Sequence, residues 1–207
     1  MASKLISANP VDGRSEIDVG DVTGVKSGGS PHRWYSPGDV QKMIDAITAS
    51  YKKLDPSHAA YYDRQRTAFR TRALARYDSL IARIRNRNAG VAVGASESIF
   101  APLAQSLGVK LVTPANFLDS VSEGTEPTAA AKSEADEQIA RRQIKVWIYN
   151  SQNATPDVQR LTSEARAQGI PVTTVSETLT PASASFEQWQ SRQLSALATA
   201  LARGSAR

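Results

Sequence analysis

DPSHAAYYDRQRTAFRTRALARYDSLIARIRNRN, residues 55–88, contains no glycine and no proline beyond its second position, and it carries a helical period from end to end. Tyr62, Phe69, Ala73, Tyr77, Leu80 and Ile84 recur at steps of three, four and seven, which places them on one stripe of a helix. Asp55 with Pro56 supplies a start signal, and Asn88-Ala89-Gly90 a stop. At about 1.5 Å per residue such a helix runs on the order of 50 Å, longer than a small domain is wide. It is therefore expected to join two bodies.

Downstream of this strut the pattern changes to alternating strands and helices. The periodicity and the turn residues predict a strand over 91–93, a helix over 98–107 ended by Gly108, and a strand over 110–113. A loop through Asn116 and Gly124 follows, then a helix over 128–142 and the most apolar strand, IKVWIY over 144–149. A helix over 156–168 stopped by Gly169, a strand over 171–175 and an amphipathic helix over 186–202 complete the chain. Four strands separated by helices specify an α/β fold with a four-stranded parallel sheet and right-handed crossovers.

Upstream, residues 1–31 have little periodicity beyond a strand-like run over 15–19 and the loop GVKSGGSP from Gly24. Ser36-Pro37-Gly38-Asp39 opens a helix whose apolar face is Val40, Met43, Ile44, Ile47 and Tyr51, and which ends by Leu54. These pieces cannot enclose a core of their own. The expected division is a partial N-terminal lobe over 1–55, a long linking helix over 56–88 and a C-terminal α/β lobe over 89–207.

A length of 207 residues with 41% hydrophobic content suffices for a packed core. No apolar run approaches the roughly 20 residues that cross a bilayer, and MASKLISANPVDGR lacks the basic-then-apolar build of a signal peptide. The absence of cysteine excludes disulfides, thiolate metal sites and cysteine nucleophiles. The net charge of +5 is concentrated on the strut, at Arg64, Arg66, Arg70, Arg72, Arg76, Arg83, Arg85 and Arg87. A nucleic-acid-binding helix would show such a footprint, with affinity that collapses in salt and ignores metal. Here the arginines scatter around the helix, no RNA-binding or helix-turn-helix motif accompanies them, and residues 119–137 are acidic; a solvated helix face accounts for them, and no nucleic-acid partner is expected.

Open parallel sheets bind ligands outside the carboxyl ends of their strands. Glu97 follows the first strand in GASES and Glu177 the fourth in VSET, so both carboxylates are expected on one rim, with Asn150 beside them and Thr113 and Asn116 near the end of the second strand. The only histidines are His32, in the loop SPHRWY, and His58, in the opening turn of the strut. Each of these groups has a plain alternative: His32 as a hydrogen-bonded loop residue, His58 as a surface or packing residue, Glu97 as a helix N-terminal carboxylate, Glu177 as a solvated one. A histidine and two carboxylates could also hold a metal for hydrolysis, but no further acid or base stands in a recognisable motif, and GASES lacks the closing glycine of a G-x-S-x-G elbow.

The order of the pieces resembles the metal-binding solute-binding proteins of ABC transporters, the zinc and manganese receptors. The resemblance rests on SPHRWYSPGDVQKMIDAI (30–47) followed by the DPSHAAYY helix, on GASESIFAPLAQSLGVKLV (94–112), on VWIYNSQNATPDVQRLTSEARAQGIPV (146–172) and on VSETLTP (175–181). It implies capture of a divalent transition metal, Zn²⁺ or Mn²⁺, as a bound substrate ion between two lobes, without turnover, for delivery to a membrane permease outside the cytoplasm. Carried over position by position, the family's second metal ligand falls on His32, the third on Glu97 where many members have histidine, and the fourth on Glu177 where others have aspartate. The family's first ligand histidine and export signal belong to an upstream lobe. ASKLISANPVDGRSEIDVGDVTGV (2–25) resembles the last segments of that lobe, so the chain is expected to be an N-terminally truncated member. A long linking helix implies small motions rather than wide closure.

Overall fold

Residues 2–26 and 29–206 are described by the computed structural model, so Ser27 and Gly28 of the GVKSGGSP loop lie outside the described residues. Four strands, β1 (Ala92–Ala95), β2 (Lys110–Leu111), β3 (Trp147–Asn150) and β4 (Val172–Val175), pair in the order β2-β1-β3-β4, all parallel. Gly94 stands opposite Trp147, and Trp147 in turn opposite Val172. This is the α/β sheet that the alternation of strands and helices predicts.

Side chains alternate across the sheet, and each face has its own core. Val93, Ala95, Val146, Ile148 and Val175 pack with Leu103 and Leu107 of α6 (Ala101–Leu107), Tyr77, Leu80 and Ile84 of α5 (Ala75–Asn88), and Leu194, Leu197 and Leu201 of α10 (Phe186–Ser205). On the other face Ile144 and Trp147 pack with α7 (Ala115–Glu123), α8 (Ala129–Ala140) and α9 (Pro156–Ala167) through Phe117, Ile139 and Leu161. Burial on both faces is why residues 144–149 are apolar almost throughout rather than alternating with polar ones. Two glycines mark close approaches: a Cβ on Gly94 would lie 2.8 Å from both Ile144 and Trp147, and one on Gly204 would lie 2.1 Å from the carbonyl oxygen of Lys145.

N-terminal to the sheet, α1 (Ala2–Ala8) and α2 (Val19–Thr23) precede α3 (Pro37–Leu54). The strand-like run over 15–19 is not a strand; Asp18 instead caps α2, its carboxylate accepting from Asp21 N–H at 3.1 Å, and among the described residues no neighbouring strand offers a ladder. The loop expected through Asn116 and Gly124 is helix α7. Gly124 is its left-handed C-cap, and Asn116 sits in its first turn and accepts from the Thr128 N–H at 3.1 Å, so both residues punctuate helices rather than form an irregular loop.

The strut is segmented. A 3₁₀ turn (Pro56–His58) leads into α4 (Ala59–Ala68), a π-helical turn (Phe69–Ala73) and then α5. In the π turn the Leu74 N–H bonds Phe69 O at 3.0 Å, one residue further back than an α-helix allows. That extra residue moves the buried position from Ala73 to Leu74, which is fully buried, while α4 buries none of its residues. The strut is thus anchored by its C-terminal half.

Candidate metal centre

The carboxyl ends of β1, β3 and β4 meet at one rim. Ser96 and Glu97 follow β1, Asn150 ends β3, and Ser176 and Glu177 follow β4. Asn150 is fully buried, and its orientation is set by its neighbours: its N–H donates to Ser96 Oγ at 3.1 Å, and its Oδ1 accepts from Gln152 N–H at 3.0 Å. The side-chain NH₂ is thereby left to face the carboxylates, and Nδ2 donates to Glu177 Oε1 at 2.8 Å.

Glu97 is 2% exposed. Asn153 Nδ2 donates to its Oε2 at 3.4 Å, and its Oε1 has no hydrogen-bond partner. Burial pushes its carboxyl above the usual range; Asn150, Asn153 and Ser122 pull it back, and the charge of Glu177 pushes it up again. Burying a carboxylate with an unpartnered oxygen costs free energy, which Asn150, Asn153 and Ser122 offset only in part, since the carboxyl stays raised.

His32 lies half-buried in the loop that precedes the 3₁₀ turn Arg33–Tyr35, its ring set edge-on to Trp34 at 5.2 Å. Burial lowers its pKa and the Glu177 charge opposes that shift, so the ring is neutral near pH 7, with a lone pair available to an ion. Arg33 grips the buried carboxylate of Asp39 through Nε, at 2.8 Å, and through its terminal NH₂, tying this loop to the start of α3. Tyr35, fully buried, crosses to the end of β4 and to α10: its hydroxyl donates to Ser176 O at 2.9 Å or Gln193 Oε1 at 2.6 Å and accepts from Ser176 N–H at 3.1 Å. Trp189 Nε1 adds a bond to Ser176 Oγ at 2.8 Å.

Glu177 is exposed and carries the Coulombic link to both of the other predicted ligands, His32 and Glu97. With His32 it lines a cavity of about 710 Å³, whose walls also include Ser98, Asp119, Ser122 and Glu123. His32 and Glu177 share this cavity while Glu97 does not line it, and among the described residues no three His, Asp or Glu side chains are arranged to hold one ion together. Thr113 and Asn116 belong to the scaffold: Thr113 Oγ1 accepts from Ala95 N–H at 2.9 Å. His58 pairs with Asp55 at 2.8 Å on the surface, away from the rim.

Sequence reasoning gave no role to Tyr35, Asn153 and Gln152. Their signal was present only as membership of PHRWY and YNSQN, where neighbours in sequence become partners of residues far along the chain.

The strand ends thus carry His32 and Glu177 on one cavity and Glu97 buried on the same rim of a four-stranded parallel sheet. The chain belongs to the family described as zinc-uptake complex component A, periplasmic, whose model matches residues 2–200. Among solved structures, a Mn-bound periplasmic metal-binding protein from Candidatus Liberibacter asiaticus is 21% identical, with a TM-score of 0.67 over 92% of this chain and 69% of that one. The Cd-bound form of a periplasmic metal-binding protein from the same organism is 20% identical, with a TM-score of 0.66 and the same coverage. The SBP FpvC from Pseudomonas aeruginosa, in complex with Mn²⁺, is 19% identical, with a TM-score of 0.69 over 97% of this chain and 74% of that one. At these identities the likeness is one of fold. No curated protein sequence matches the chain. The family is one of transport components rather than enzymes, and among the described residues no helix is long and apolar enough to cross a membrane.

Proposed function

We propose that this chain is the substrate-binding component of a metal ABC transporter, acting outside the cytoplasm, and that it takes Zn²⁺ or Mn²⁺ between His32, Glu97 and Glu177 for delivery to a membrane permease. In this reading residues 1–55 contribute part of one lobe, 56–88 form the linking helix and 89–207 the second lobe. The observation that carries it is Glu97: a buried carboxyl with an orphaned oxygen, whose charged form burial and the neighbouring Glu177 disfavour, is a group that a bound cation would stabilise. The Mn-bound and Cd-bound relatives of the same fold support the choice of ion class.

His32 would supply one nitrogen and Glu97 and Glu177 oxygens, a borderline-hard set suited to Mn²⁺ or Zn²⁺. The ion neutralises both carboxylates and gives Glu97 Oε1 its missing partner. Because His32 comes from the N-terminal segment and the carboxylates from the α/β lobe, shared coordination ties the two together, and the tied form is the one a permease would read. No turnover is expected.

Calorimetric titration of chelator-stripped protein with Mn²⁺ and with Zn²⁺ tests this. One site is expected, weakened severely in Glu97→Gln and Glu177→Ala. An absence of binding by the unaltered chain, or unchanged affinity in both variants, refutes the assignment.

A further inference from the structure

Glu177 stands on an exposed loop, yet a metal ligand has to be held in place. Ser176 is fixed from below by Tyr35, Gln193 and Trp189, but the next two backbone amides point elsewhere. Both converge on one atom: Gln152 Oε1 accepts from the Glu177 N–H at 2.6 Å and from the Thr178 N–H at 2.9 Å. Gln152 Nε2 then donates to Thr178 Oγ1 at 2.6 Å. Only an oxygen can accept two N–H groups, so the amide has one orientation. The Gln152 backbone is itself held, since its N–H donates to Asn150 Oδ1 at 3.0 Å, and the same Asn150 donates to Glu177 Oε1 at 2.8 Å. A closed ring results: Asn150 fixes Gln152, Gln152 fixes the Glu177 backbone, and the Glu177 carboxylate returns to Asn150.

We propose that Gln152 is a positioning residue for metal capture: its side-chain amide clamps the backbone of Glu177 and Thr178 to the end of β3 and so aims the Glu177 carboxylate at the rim it shares with Glu97 and His32. This rests on the metal-binding reading above. Partners that orient a metal ligand from behind typically matter by about tenfold to a hundredfold in affinity. Gln152 is exposed and outside both hydrophobic cores, so its replacement leaves folding intact.

The test uses the full chain and two variants. Gln152→Ala removes the acceptor for both amides; Gln152→Glu keeps an oxygen to accept them. Amide hydrogen exchange at Glu177 and Thr178, measured without metal, is expected to accelerate in Gln152→Ala alone among the rim residues and to return to wild-type protection in Gln152→Glu. The Mn²⁺ dissociation constant is expected to rise about tenfold or more in Gln152→Ala and to be wild-type or tighter in Gln152→Glu. Unchanged exchange in Gln152→Ala overturns the clamp. Accelerated exchange with unchanged Mn²⁺ affinity overturns its role in capture. If the unaltered chain binds neither Mn²⁺ nor Zn²⁺, the functional reading and Gln152's role in capture both fail, while the exchange arm still decides whether the loop is clamped.

Discussion

Replacing Glu97 by glutamine should stabilise the metal-free protein and destroy the stabilisation that metal brings, two effects of opposite sign from one atom. Glu97 is 2% exposed, and its Oε1 is without a partner. An orphaned buried acceptor costs about 1–3 kcal/mol, and more when charged. Glutamine keeps the shape and an oxygen for Asn153, and removes the buried charge. A net gain of about 1–2 kcal/mol is expected, which for a chain of this length raises the Tm by about 2–8 °C. In the unaltered protein, ion at about a hundred times its Kd adds roughly 2.7 kcal/mol, or about 5–10 °C. Glu97→Gln should gain little from the same addition, so the order of the two melting temperatures reverses when metal is supplied. The sign of the pH dependence follows from the raised carboxyl. The unfolded carboxyl titrates near 4.3, the folded one higher, so between the two the folded chain binds more protons and its stability falls as pH rises. The Tm advantage of Glu97→Gln should therefore be absent at pH about 4 and grow as the pH rises above it. Scanning calorimetry of both chains, with chelator and with Mn²⁺, across that range reads all of this. A metal-free Glu97→Gln that melts below the unaltered chain at pH 7, or that gains as much from Mn²⁺, refutes the reasoning.

Other outcomes follow from single contacts. Gly204→Ala would place a methyl 2.1 Å from Lys145 O, so α10 must shift off the start of β3; a loss of about 1–3 kcal/mol is expected by chemical denaturation, and unchanged stability would contradict the packing. Tyr35→Phe keeps the ring but strips Ser176 and Gln193 of the hydroxyl they share; about 1–3 kcal/mol should be lost, with weaker Mn²⁺ binding by calorimetry and a wild-type circular dichroism spectrum. His32, held neutral by burial, resists protonation when folded, so stability declines as pH falls below about 6.5, where the unfolded histidine takes up its proton first. Mn²⁺ affinity should likewise be flat from pH about 7 upward and fall below about pH 6, while His32→Gln flattens that fall. With nitrogen and oxygen donors alone, Zn²⁺ should bind more tightly than Mn²⁺ in direct titration, and the reverse order would require a geometric constraint that His32, Glu97 and Glu177 do not impose by their chemistry.

The parts of this protein that could be read from its sequence are those where one residue's role is set by residues near it in the chain. Residues 144–149 announce a doubly covered strand by composition, and Ser36-Pro37 announces α3 because an N-cap and its amide are three positions apart. Gly124 shows how local reading fails: a left-handed glycine ends a helix and fills a loop with the same residue type, and only the burial of Phe117, Leu118 and Val121 decides between them. The π turn is less legible still, since the shift from Ala73 to Leu74 comes from how α5 seats on the sheet rather than from any breaker residue. The rim divides along the same line. Glu97 and Glu177 could be placed there because parallel sheets put every strand's carboxyl end on one side. What holds them could not, because Gln152 reaches residues 25 and 26 positions away, and Tyr35 reaches across 141. Such partners carry no periodicity and no fixed spacing. Their identity follows from a constraint that exists only after folding, that buried polar atoms are met by others wherever packing allows; among the described residues Glu97 Oε1 is left unmet at this rim, and it is the atom that the proposed cation would meet.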